Sequence, residues 1–152
     1  MVVCTFFGHR AVPYNVESAL RSVITDLIEQ NGVKLFYVGN NGEFDAMVRR
    51  VLKDLCLQYP ITYHVVLAYI PVKRLGVAAF DYSDTVLPDG IETVPKRFAI
   101  DYRNKWMTDR SDYVVTFVTG SISSGAAKFK MYAERKKKTV IELTEITKKD
   151  AR

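Results

Sequence analysis

Residues 34–48 read KLFYVGNNGEFDAMV, and this stretch decides the fold. Its first part, KLFYV, is an apolar and aromatic run with β character. Its last part opens a helix, with Met47, Val48, Val51, Leu52 and Leu55 on one stripe. Between them lie two glycines, two asparagines and two acids. A buried strand that turns sharply into a helix through glycines leaves bare N–H groups and a helix N-terminus at one edge of a sheet. In an open α/β sheet that edge is where ligands bind.

The flanking chain repeats the pattern. Val2 to Phe7 is an apolar, β-branched run that stops at Gly8, as in a strand buried on both faces. Asn15 is an expected N-cap. Val16, Ala19, Leu20, Val23, Ile24, Leu27 and Ile28 behind it follow helical spacing, and Asn31-Gly32 ends the helix. The second helix is expected from about Phe44 to Gln58. Ile61 to Ile70 reads as a third strand, with His64 as a core or face histidine. Residues 72–94 have no clean period and read as a long excursion, with a short extra strand near Thr85 to Leu87. Pro95 opens a helix from Lys96 to Arg110, with Phe98, Ala99, Tyr102, Trp106 and Met107 on one face. YVVTFV after Ser111-Asp112, a helix over about Ala126 to Lys137 and a strand over Thr139 to Leu143 complete the order. The expectation is one Rossmann-like α/β domain over residues 1–152. It has a mostly parallel sheet, helices on both faces, strand order 3-2-1-4-5 and a frayed tail over 146–152.

The 152 residues lie within the size of one domain, and 48% hydrophobic residues suffice for a core. The formal charge of +5, from 22 basic and 17 acidic residues, permits an anionic ligand. Lys136, Lys137 and Lys138 read as a solvated helix end, and Lys148, Lys149 and Arg152 as part of the tail. The dispersed charge argues against nucleic acid as a partner. Cys4 and Cys56 form no CxxC and no Cys/His cluster, so no metal site is expected, and no cofactor. Two buried thiols suit a reducing compartment. VVCTFF is too short and lacks the basic flank of a signal peptide, and no apolar run reaches membrane-span length. A cytoplasmic protein without membrane contact is expected.

A parallel sheet gathers its carboxyl-end loops on one rim. The candidate ligand contacts there are Gly8, His9 and Arg10, then Gly39, Asn40, Asn41 and Gly42, then the serine-glycine loop Gly120 to Gly125. That last loop holds no acid. Its backbone and the hydroxyls of Ser121, Ser123 and Ser124 suit a phosphate; the plain alternative is a loop ending in a serine N-cap. Glu43 and Asp45, at a helix start, would repel phosphate but can accept hydrogen bonds from a ribose or a base amine. Simple dipole compensation explains them equally. Neither a dinucleotide fingerprint nor a Walker loop is present.

CTFFGHR, FYVGNNGEFDAMV, VPKRFAIDYRNKWM, SDYVVTFV and SGAAKF together resemble the YpsA-like branch of the SLOG superfamily, which unites the Smf/DprA fold with the lysine-decarboxylase-like LOG proteins. The similarity covers about Val2 to Leu143. It implies a Rossmann-like domain that binds a nucleotide or nucleotide derivative. The LOG enzymes, which cleave the base from nucleoside monophosphates, resemble the chain more distantly. Their Arg-Lys-x-x-Met motif is similar to Arg103-Asn104-Lys105-Trp106-Met107, which implies that Arg103 contacts ligand phosphate or ribose; Arg97 on the same helix joins the candidate contacts. Their glycine motif falls on Gly120 to Gly125, with Ala127, Lys128 and Phe129 where their glutamate would follow. Efficient LOG-type hydrolysis is therefore not expected. If chemistry occurs, Glu43 is the expected base, with Arg103 holding the phosphate. DNA binding by analogy with DprA is a weaker reading, and the LOG relatives imply a homodimer.

Overall fold

Alternating apolar runs and helical stripes build an all-parallel α/β sheet in the computed structural model, which describes residues 1–69, 85–120 and 124–150. The strands are β1 (Val2–Gly8), β2 (Val33–Val38), β3 (Thr62–Val66), β4 (Thr85–Val86), β5 (Tyr113–Phe117) and β6 (Thr139–Glu142). The helices are α1 (Val16–Asn31), α2 (Gly42–Leu55), α3 (Lys96–Asp109), α4 (Gly125–Arg135) and α5 (Leu143–Asp150). A single 3-10 turn, Ile91–Thr93, precedes α3. Among the described residues, no helix is long and apolar enough to cross a membrane.

The sheet runs β4-β3-β2-β1-β5-β6. This differs from the expected five-strand order 3-2-1-4-5, because the two-residue β4 adds a sixth strand outside β3. It pairs Val65 with Thr85 and Val66 with Val86. The five longer strands keep their expected sequence across the sheet. The third strand stops at Val66, short of the expected Ile70; residue 70 and most of the excursion, 71–84, lie outside the described residues.

The two faces follow from strand alternation. Cys4 and Phe6 of β1, Phe36 and Val38 of β2 and Val115 and Phe117 of β5 pack under α1, α2 and α5. Phe7, Val66 and Val114 point the other way and meet Met107 of α3 and Ala126, Phe129 and Ala133 of α4. His64 lies half-buried on this second face, its ring 6.3 Å from that of Tyr37.

Three local expectations change. Asn15 precedes α1 but makes no side-chain capping bond. Within the stretch 146–152 expected as a tail, α5 continues to Asp150, with Leu143 fully buried and Ile146 packed on the larger core. An apolar pair three residues apart is enough to seat one side of a short helix. The third change, in α3, makes the site.

Candidate functional site

The chain switches direction across the sheet between β1 and β5, and a cavity of about 290 Å³ opens there. The end of β1 and its loop supply Phe6 to Arg10. Asn41 and Asp45 come from the start of α2, and Ile100, Arg103, Asn104 and Met107 from α3. Ser124, Gly125 and Ala126 form the N-terminal wall from α4.

α3 buries only part of the face that its spacing predicts: Ala99 and Met107 are inside and Trp106 packs on the second core, but the aromatic pair Phe98 and Tyr102 is not buried. Phe98 is 50% exposed and Tyr102 36%, whereas Ala99, Arg103, Asn104, Met107 and Thr108 are buried. Arg103 is only 3% exposed. A guanidinium tolerates this only when its donors are satisfied. Its Nη1 donates to Asn41 Oδ1 at 2.8 Å, Asn40 Oδ1 at 3.1 Å and Val66 O at 3.5 Å, and its Nε to Asn104 Oδ1 at 3.1 Å. Burial pulls its pKa below the ordinary arginine value, against the opposing charge of Asp45.

Asp45 is 8% exposed, and its Oδ2 accepts the Asn41 N–H at 2.9 Å. Burial raises its carboxyl above the ordinary range. The Asn41 bond and the charges of Arg103 and Arg49 hold it back only partly. Gly39 lies between the two charged groups. A Cβ there would sit 2.7 Å from Asp45 Oδ2 and 3.2 Å from Arg103 Nη1. Arg49 donates to the Gly39 carbonyl at 3.1 Å. Gly39 and Asn40 therefore support the site from behind without lining it.

Glu43 stands apart from the cavity, exposed, with its carboxylate accepting the Val12 N–H at 3.1 Å. Its own N–H donates to Arg10 O at 2.7 Å. Beside it, Gly42 adopts φ +88°, and a Cβ there would lie 2.8 Å from Arg10 Cα. Glu43 and Gly42 thus clamp the first two rim loops together, and the carboxylate that faces the cavity is Asp45. Arg97 is also outside, exposed, its guanidinium 4.8 Å from the Phe98 ring centroid. Gly120 has φ +59° and does not line the cavity; Ser121 and Ser123 lie outside the described residues.

Ser124 is the N-cap of α4. Its Oγ accepts the Ala127 N–H at 3.1 Å. Gly125 and Ala126 carry the other N–H groups at the start of this helix, whose first turn holds no acid. Among the described residues, nothing lies within 4 Å of a Cβ built on Gly125.

Two groups fix the backbone leading to that turn. His9 Nε2 accepts the Thr119 N–H at 2.9 Å, which places the imidazole proton on Nδ1. Glu142, 9% exposed at the end of β6, accepts the Val118 N–H at 3.1 Å, Thr116 Oγ1–H at 2.7 Å, Lys130 Nζ at 2.9 Å and the Thr144 N–H at 3.1 Å. Burial alone would raise its carboxyl, but these bonds outweigh it and hold the pKa below the ordinary 4.5. A depressed folded-state pKa adds stability above the unfolded pKa, and that stability is lost as pH falls through the folded one. Glu142→Gln should therefore flatten the acid limb of the stability profile below about pH 4.5. Urea melts from pH 3 to 7 measure this; an unchanged acid limb would remove Glu142 from the account. Sequence reading missed Glu142 because its partners come from β5, α4 and α5.

No protein-family model matches the chain, and no curated protein matches it.

Proposed function

We propose that the chain is a SLOG protein of the YpsA-like kind and that the cavity binds a phosphorylated nucleoside. One observation carries the reading: a buried cation, a buried carboxylate and an acid-free helix N-terminus converge on one cavity at the sheet's switch point. The α4 N-terminus takes the phosphate through the Gly125 and Ala126 N–H groups. Asp45, desolvated and partly compensated, gains from a donor such as a ribose hydroxyl or base amine. Arg103 orients Asn40 and Asn41 and supplies positive potential from below. The volume is at the small end of ligand sites, about 300–1,000 Å³, and suits a mononucleotide.

Calorimetry with mononucleotides, dinucleotides and ADP-ribose tests the reading, with native mass spectrometry of protein from its host as a check for retained ligand. Gly125→Asp should abolish binding, because it sets a carboxylate at the phosphate position. If none of these ligands binds more tightly than about 1 mM, roughly −4 kcal/mol, the reading fails.

The place of the Asp45 carboxylate at the cavity wall favours an N-glycosidase as the second reading, since a carboxylate there can stabilise the positive charge that builds on the sugar or activate water. Chromatography of the same mixtures decides it. Free base should then be released by wild type and Glu43→Gln but not by Asp45→Asn.

A further inference from the structure

A second concavity, of about 360 Å³, lies between the outward sides of α3 and α4 and, among the described residues, shares no lining residue with the ligand cavity. On α3 it is lined by Phe98, Asp101, Tyr102 and Lys105, which are spaced i, i+3, i+4 and i+7. On α4, Lys128, Phe129, Tyr132 and Arg135 form a matching stripe. Each stripe runs two helical turns, about 10.5 Å. The floor is aromatic, and Phe98 and Tyr102 are large apolar groups left open to solvent. An exposed aromatic cluster at helical spacing is the informative exception on a soluble surface.

Charge decides what fits it. Lys105, Lys128 and Arg135 line the groove, and Lys136 holds its ammonium 5.7 Å from the Tyr132 ring centroid. Asp101 is the one carboxylate among the described lining residues, and Lys128 occupies it at 2.6 Å. A second copy docked here by two-fold symmetry would set these cations against themselves. An acidic partner would meet them with opposite charge, which speeds encounter and rejects basic competitors. Two parallel helical stripes with an aromatic floor match the helix-in-groove mode of recognition.

We infer that the α3/α4 groove docks an acidic amphipathic helix of a partner protein, with apolar anchors seated on Phe98, Tyr102 and Phe129 and carboxylates facing Lys105 and Arg135.

The probe is a set of fluorescein-labelled helical peptides of about 14 residues, roughly 21 Å long. They carry Leu or Phe at i, i+3, i+4 and i+7 and Glu elsewhere; control peptides have Lys in place of each Glu. Anisotropy titrations of the whole protein should show saturable binding of the acidic set, weakened by added salt, and none of the basic set. Phe98→Ser and the double variant Lys105→Glu/Arg135→Glu should each weaken binding by about tenfold or more, a difference of ~1.4 kcal/mol. These side chains are exposed, so urea melts of the variants should match wild type. Basic peptides binding as well as acidic ones would overturn the inference, as would acidic binding that is unsaturable or indifferent to both variants. So would self-association, seen in sedimentation, that Phe98→Ser abolishes, because a second copy would then be the occupant.

Discussion

Arg103→Met should destabilise the fold by about 3–5 kcal/mol, the scale of removing one member of a buried charged network. That is a large part of the roughly 5–15 kcal/mol that holds a domain together. The cost comes from what the guanidinium leaves behind. Asn40 and Asn41 lose the donor that joins their amides, Val66 O loses a partner, and the Asp45 carboxylate keeps its burial without the cation nearest across Gly39. Asp45→Asn removes that stranded charge, while its amide oxygen can still accept the Asn41 N–H. The double variant Arg103→Met/Asp45→Asn should accordingly be more stable than Arg103→Met alone. A four-corner cycle of urea melts reads the coupling. Strict additivity would mean that the two groups do not act as a unit, and the site would lose its electrostatic basis. Ligand binding should be lost in both variants that lack Arg103.

How much of this was legible in the sequence depends on where each partner lies. The strand-turn-helix of residues 34–48 is local: its apolar run, glycines and helical stripe occur in one window, and β2 and α2 form close to where they are expected. α3 misleads for the same reason. Spacing alone puts Phe98 and Tyr102 inside and Arg103 and Asn104 outside. The reverse holds because Arg103 finds Asn40 and Asn41 more than sixty residues earlier, beneath a cavity that no single window contains. Glu43 and Asp45 show the same limit. Both open α2 and both suit its dipole. They separate only because the first rim loop lies against one side of the turn, where Val12 captures Glu43, while the helix rotation carries Asp45 inward beside Gly39. Position in the chain located the rim; contacts between rim loops assigned the roles.

Among the described glycines of that rim, Gly8 carries the tightest steric constraint. A Cβ at this position would lie 2.3 Å from both Cγ and Cδ2 of Phe44 and 2.9 Å from its Cβ. Phe44 is fully buried and stacks on Phe117, with centroids 6.3 Å apart, so its ring can yield only by displacing packed neighbours. Gly8→Ala should cost about 1–3 kcal/mol by overpacking, and Phe44→Ala about 3–5 kcal/mol through the cavity it leaves. The two should not add. With the ring gone, the new methyl occupies part of the vacated space, and Gly8→Ala should then cost nearly nothing. Denaturant melts of the two single variants and the double variant distinguish the causes. An equal Gly8→Ala penalty in both backgrounds would mean that the glycine serves the backbone and not the aromatic ring. If the penalty vanishes without Phe44, the glycine at the end of β1 exists to let α2 approach the sheet, and that approach brings Asp45 to the cavity wall.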